Sequence, residues 1–515
     1  MPLAECTSST KAVVGLALLY AIYQLATSLD RWSKRRALKR EKGCLDAPKW
    51  PQKDPVLGLD VFFDNIAALK ARNLLEVTAD RFRAAGVNTF QLKALGRRIH
   101  TTIEPENLKV IQAIDHKKWS LGTRRKVGFR PLLGDGIFTT DGAEWKHSRE
   151  MLRPSFVRSQ VGDVATFEKH VSQLIATIPP NQEVDLSELF FRLTIDSATE
   201  FLFGESTESL SKNTNDGFAE AFGFSQDFIA NLSRWGSWAK FFPANKRFQK
   251  DKAFVHNFVD YYVQKGLAKR NQLLADKDTA EHNGRYVFID ELVRQTDDPV
   301  RIRSELLNIL LAGRDTTASL LSNVWFMLGK RPDMWTKLQA EVAQLNGTQP
   351  SFEQLKELKY LKAVLNESLR LHPVVPMNSR EAIVDTALPL GGGPDGLAPL
   401  FIRKGDIMAW NVYAMHRRKD YYGQDAEEFT PERWLDDAKT GRKGLRPGWE
   451  YLPFNGGARI CLGQQFALTE ASYTTVRLCQ AFSGLQGRDS QPWTEGLTLT
   501  CTSFNGAKVI LTPRS

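Results

Sequence analysis

Residues 454–463 read Phe-Asn-Gly-Gly-Ala-Arg-Ile-Cys-Leu-Gly, and QQFALTEASYTTVRLCQAF follows to Phe482. The second stretch carries apolar residues at three-to-four spacing, the pattern of an amphipathic helix, which places Cys461 at a helix start. Unpaired backbone N–H groups and the helix dipole favour the thiolate there, the form of cysteine that ligates a metal. Gly456, Gly457 and Gly463 let the backbone pass close to a flat cofactor, and Arg459 can neutralise an acidic group on it. A cysteine before a helix, taken alone, is more often a small buried hydrophobe, and that is the reading for Cys479 and Cys501.

Upstream, LLNILLAGRDTTASLLSNVWFML from Leu306 to Leu328 is apolar enough to resemble a membrane helix, but Arg314 and Asp315 at its centre would be costly in lipid. In a protein core the two can pair, and a buried polar centre marks a functional site. Within the run, Ala312-Gly313-Arg314-Asp315-Thr316-Thr317 sets hydroxyls after a glycine, and Thr316 can bond back to the Ala312 carbonyl, so a local bulge is expected. Glu367 and Arg370 lie at i and i+3 and can pair on one helix face; such a pair alone is commonly a solvated surface. Trp145 and Arg149 share a face at i and i+4. His372 and His147 are better read as packing and rim residues than as ligands.

The chain has 515 residues, 42% hydrophobic and 25% charged, enough to bury a large core. No flexible linker or fixed-period repeat follows residue 56, so one large domain is expected from 57 to 515. Most segments between about 60 and 490 have helical periodicity, as in FEQLKELKYLKAVLNESLRL from Phe352 to Leu371. Short strands are expected around Asn88 to Leu92 and in the ending CTSFNGAKVILT from Cys501 to Thr512. The fold class is therefore mainly α with a small β-rich region. Five scattered cysteines contain no CxxC or zinc cluster and fit a reducing, cytosol-facing environment. A net charge of +10 suits an anionic membrane or acidic partner, and without a basic-aromatic repeat or zinc finger, nucleic acid ranks last.

From Ala12 to Leu29 the chain reads AVVGLALLYAIYQLATSL, an uncharged run close to the roughly 20 residues that span a bilayer. Arg31, Lys34, Arg35, Arg36, Lys39, Arg40 and Lys42 follow, which holds the downstream side in the cytosol and argues against a cleaved signal peptide, whose basic residues precede the apolar run. Pro48, Pro51 and Pro55 stiffen a link after it, so residues 1–56 are read as anchor, basic stretch and linker.

The pattern FxxGxRxCxG formed by Phe454, Gly457, Arg459, Cys461 and Gly463 resembles the haem-binding signature of cytochromes P-450, with Ala458 where many relatives carry proline. The resemblance covers nearly the whole chain, and its motifs occur in the family's order. It implies the cytochrome P-450 fold, preceded by a transmembrane helix, with haem b held by Cys461. It also implies that Trp145, Arg149 and Arg380 meet the haem propionates together with Arg459, and that Glu367, Arg370 and Arg433 brace the cysteine loop. Asp315 and Thr316 would deliver protons in the oxygen pocket, with Thr317 an ordinary helix residue. Electrons would come from NADPH through a separate reductase, since only about 30 residues follow the cysteine helix and no flavin module is fused. The location implied is the endoplasmic reticulum membrane.

LLAGRDTTASLLSNVWF and FNGGARICLGQQFALTEASYTTVRL look like the fungal branch of alkane and fatty-acid hydroxylases. That implies terminal or near-terminal hydroxylation of a long apolar chain in a pocket walled by Ile309, Leu310, Val374, Val375, Met377 and Phe504. A tailoring oxidation of a fungal secondary metabolite stays open. A non-catalytic haem-binding protein, or an isomerase that uses no oxygen, would not need the Asp315–Thr316 pair.

Overall fold

The computed structural model describes residues 3–156, 164–211, 217–275 and 286–514. The first helix, Leu3–Glu41, runs well past the uncharged stretch, because nothing in the basic segment breaks a helix until Gly43 turns left-handed at φ 63°. From Ala12 onward it is long and apolar enough to cross a membrane, and its apolar side chains point away from the protein, with Leu16 68% exposed. Its basic end touches the body of the protein: Arg35 makes two bonds to the Asp385 carboxylate, at 2.8 and 3.2 Å. The following segment packs down. Cys44 and Ala47 are buried, Leu45 pairs in parallel with Leu400, Lys49 pairs with Gln91, and Trp50 meets Phe90 at 5.6 Å.

The longest buried helix is Pro299–Lys330, which contains the run from Leu306 to Leu328. The Asp298 side chain caps it by accepting from the N–H groups of Val300 and Arg301, and Pro299 sits in the first turn, where its missing N–H costs nothing. It is apolar nearly all round because other helices cover it nearly all round, among them Leu186–Phe203, Lys359–Leu371 and the cysteine helix Gln464–Ala481. Burial of Leu306, Leu310, Leu321 and Trp325 at 1% exposure or less makes it the axis of a helical core. Through Ala312–Thr317 it stays α-helical, so the expected bulge is absent: the Thr316 hydroxyl bonds the Ala312 carbonyl at 2.6 Å without a change of helix type.

The periodic stretch from Phe352 to Leu371 is two helices, Phe352–Glu357 and Lys359–Leu371, divided where Leu358 turns extended at ψ 90°. A second core lies under a five-stranded sheet whose order across the sheet is Thr89–Ala94, Arg97–Thr102, Ile407–Asn411, Met377–Ala382 and Trp119–Ser120. The ending forms strands in two different sheets: Cys501–Ser503 pairs with Glu495–Leu497, whereas Lys508–Pro513 pairs with Phe482–Gly487 and Glu183–Asp185. The molecule is thus mainly helical with small sheets, as the residue patterns predict.

Candidate active site

Cys461 stands two residues before the cap of its helix, in a loop closed by its own N–H donating to the Phe454 carbonyl at 3.0 Å. The two glycines of this loop serve packing. A Cβ on Gly457, at φ 61°, would lie 2.1 Å from the Gln112 carbonyl oxygen, and one on Gly456 would strike Trp449 at 2.6 Å. Their role is therefore close approach to protein, contrary to the expectation of cofactor contact. Gly463 differs, since the nearest atom to its Cβ position is Phe156 at an ordinary 3.7 Å.

Glu367 and Arg370, expected to brace this loop, are both fully buried. Arg370 donates to both Glu367 oxygens at 2.9 and 2.7 Å and to the carbonyls of His416, Ala426 and Glu428. Arg433 reaches Glu367 at 3.4 Å, and the Trp434 indole N–H donates to it at 2.9 Å. His416 completes the link, a residue the motif pattern did not single out. Its Nδ1 lies 3.1 Å from the Arg370 carbonyl, while its Nε2 accepts the Leu452 N–H at 2.9 Å. Burial first, and the Arg370 cation next, pull His416 down to about 3, so it stays neutral and can accept.

Above Cys461 lies a cavity of about 690 Å³, a size suited to small-molecule sites. It brings together Trp145, Arg149, Ile309, Asp315, Thr316, Val374, Val375, Met377, Arg380, Phe454, Arg459 and Gly463 around the cysteine. Two expected wall residues lie elsewhere. Leu310 points into the helical core at 0% exposure, one step round the helix from Ile309, and Phe504 is 52% exposed beneath the Arg72 guanidinium. The two histidines are no ligands either: His372 is buried against Trp493 and His147 lies on the surface.

Cations crowd one side of the cavity. Arg149 donates to the Ile460 carbonyl at 3.0 Å, and Arg459 lies over the Trp145 ring at 4.3 Å while donating to Asp141 at 2.8 Å. Arg380 is 6% exposed, bonded to Asn378 and Ser379, and makes no ion pair among the described residues, with Asp141 acting on it only from beyond ion-pair distance. Burial, then the neighbouring Arg125 and Arg459, push its guanidinium strongly down, so an anion is the missing partner. Arg125 was not foreseen; its signal was the run Thr123-Arg124-Arg125-Lys126.

Cys461 is exposed to the cavity, and the Gly463 N–H and the Arg149 cation favour its thiolate. Opposite, Asp315 pairs with Arg314 at 3.0 Å, and burial raises its carboxyl, with Arg314 opposing and Asp227 assisting. A second acid went unforeseen: Glu470, 1% exposed on the cysteine helix, accepts from the Ser197 hydroxyl and is pushed up by burial to about 8.

A thiol facing a cavity lined by arginines, in a chain that also buries a Glu–Arg pair, fits the family model of cytochrome P-450, which matches residues 59–503. The chain belongs to the cytochrome P-450 family. Cytochrome P-450 monooxygenase himC of Aspergillus japonicus is 43% identical over 507 residues, covering 98% of this chain and 88% of that protein. Cytochrome P-450 52A5 of Candida maltosa is 46% identical over 462 residues, 85% of each chain. Among solved structures, a cytochrome P-450DA heme domain is 22% identical with a TM-score of 0.75, covering 92% of this chain and 99% of that one, which shows a shared fold. The cytochrome P-450 fold accounts for the order of the motifs, and the family implies a haem-thiolate cofactor, a redox partner and a small-molecule substrate.

Proposed function

We propose that this cytochrome P-450 hydroxylates a long apolar chain, an n-alkane or fatty acid, at or near its end, using O2 and electrons from NADPH delivered by a separate reductase. The observation that carries the reading is the single cavity that holds the Cys461 thiol, the Asp315–Thr316 pair and the apolar walls Ile309, Val374, Val375 and Met377 together. The resemblance of LLAGRDTTASLLSNVWF and FNGGARICLGQQFALTEASYTTVRL to the fungal alkane and fatty-acid hydroxylases supports the same substrate class.

The residues present fit haem b. Cys461 would offer its sulfur to the iron, and Gly463 and Phe454 line the same cavity. Arg149, Arg380 and Arg459, with Trp145, would take the two propionates, which answers the missing anion at Arg380. Bound there, haem supplies the activation of dioxygen, by which one oxygen atom enters the substrate and the other leaves as water. Thr316 has its hydroxyl proton engaged at Ala312, which leaves its oxygen free to accept a hydrogen bond, and it can pass its proton on once it lets go of that carbonyl. Asp315, its carboxyl raised by burial, is suited to hold and release a proton beside it. Glu367, Arg370 and Arg433 act through the loop they support.

The first helix would anchor the protein in the endoplasmic reticulum membrane with the catalytic domain facing the cytosol, and the basic residues that follow the apolar run support that side. The deciding experiment incubates the protein with a reductase, NADPH and a panel of alkanes and fatty acids, with products read by mass spectrometry. Terminal or subterminal alcohols are expected. NADPH consumption without any hydroxylated chain would overturn the substrate class, and no haem uptake at all would overturn the reading of the site.

A further inference from the structure

The cavity holds a second group of cations that the haem site does not use. Arg124, near the start of the helix Gly122–Leu133, and Arg234, the last residue of the helix Phe218–Arg234, both line it. These helices touch so closely that a Cβ on Gly128 would lie 2.6 Å from Ser233. Arg124 Nε donates to the Ser233 carbonyl at 2.7 Å, which brings its guanidinium to the residue next to Arg234. Arg234 bonds only neutral acceptors, the Asn231 side chain and, at 3.5 Å, the Thr498 carbonyl. Neither arginine has an ion-pair partner among the described residues.

Arg124 is exposed and Arg234 half-buried in one shared space, where the Arg234 cation opposes the charge on Arg124, while the Asp227 carboxylate, outside ion-pair distance, favours that on Arg234. Arg125, by contrast, shares Asp141 with Arg380 and Arg459 and belongs to the propionate side. Between the two ends the walls are apolar, including Ile309, Val375 and Leu499. Just beyond Arg234, Trp238 is 52% exposed, so this end lies toward the surface.

We propose that Arg124 and Arg234 together bind the carboxylate of a long-chain acid, so that the substrate is a fatty acid held acid-end outward with its far end toward Cys461. The inference rests on the proposed hydroxylation of long chains and narrows it from alkane or acid to acid. A carboxylate between the two cations relieves their repulsion and makes charge-assisted bonds that an alkane or ester cannot make. The position oxidised is then set by the distance from the arginine pair to the iron.

The test uses the haem-loaded full chain in detergent, titrated with hexadecanoic acid, methyl hexadecanoate and hexadecane, with binding read from the change in haem absorption. The acid is expected to bind at least about tenfold tighter than the ester, and Arg124→Gln or Arg234→Gln should remove most of that preference while Arg124→Lys keeps part of it. Haem content and the reduced carbonyl spectrum check that each variant is intact. Equal affinity of the unmodified protein for acid and ester, which needs no variant, would overturn the inference and leave the hydroxylase reading standing. Loss of acid and ester binding in equal measure in the glutamine variants would also overturn it. No spectral response to any of the three probes would instead overturn the long-chain reading itself.

Discussion

Arg370 clasps Glu367 three residues earlier with two bonds, 2.9 and 2.7 Å, and both side chains are completely buried. A pair in that position cannot lose one member cheaply, since the other would be left as an unpaired charge in low dielectric. Arg370→Ala should cost about 3–5 kcal/mol. The loop at Leu452 would lose its support through His416 as well. Chemical unfolding and haem content per protein check this, and a variant with parental stability and full haem would contradict the bracing role.

Cys461→Ala should leave a folded protein whose reduced carbonyl complex, if haem is retained, lacks the red-shifted Soret band of thiolate ligation. The hydrogen bond that an alanine abandons there is the one from the Gly463 N–H at the helix start. Retention of the parental band would mean that another ligand serves the iron.

Thr316→Ala is expected to divert electrons from product to hydrogen peroxide, and Asp315→Asn to slow turnover, with haem binding intact in both. Hydroxyl and carboxyl are the proton-bearing groups this helix presents to an otherwise apolar wall, and each positioned proton-transfer group is typically worth about 10²–10⁴-fold. The measurement is the ratio of hydroxylated chain to NADPH consumed. An unchanged ratio and rate in both variants would move proton delivery elsewhere.

Where the anchor is cut should matter. Removal of residues 1–34 is expected to release the protein from membranes at high salt with its thermal midpoint nearly unchanged, since Arg35 and everything after it remain. Removal of residues 1–56 also deletes buried Cys44 and Ala47, the Leu45–Leu400 pairing and the Trp50 contact with Phe90, and should lower the midpoint by several degrees. Equal midpoints for the two truncations would show that the docked segment contributes nothing to stability.

Glu470 makes stability depend on pH. Its carboxyl rises from 4.5 to about 8 on burial, so the folded protein holds that proton more tightly than the unfolded chain. Its contribution is complete below about pH 4.5 and is lost as pH rises through about 8. Glu470→Gln, which imitates the protonated acid, should match the parent near pH 5 and exceed it above pH 8 by on the order of 2–4 kcal/mol. Denaturation across that range decides it, and parallel curves for the two proteins would sink the assignment.

Local pattern determined much of this protein. The period of apolar residues specifies a helical body, the charged centre of Leu306–Leu328 excludes a second membrane span, and FxxGxRxCxG with its companion motifs identifies the family. These features are legible because they are encoded within one turn or one loop. Tertiary structure decided whatever depends on direction and on neighbours distant in the chain. Ile309 and Leu310 are equivalent hydrophobes in sequence, yet a 100° step round the helix sends one to the cavity and the other into the core. Gly456 and Gly457 read as room for a cofactor until Trp449 and the Gln112 carbonyl were found against them. Arg124 and Arg234 are separate basic residues in the sequence, and they become one site only because Gly128 lets their two helices meet.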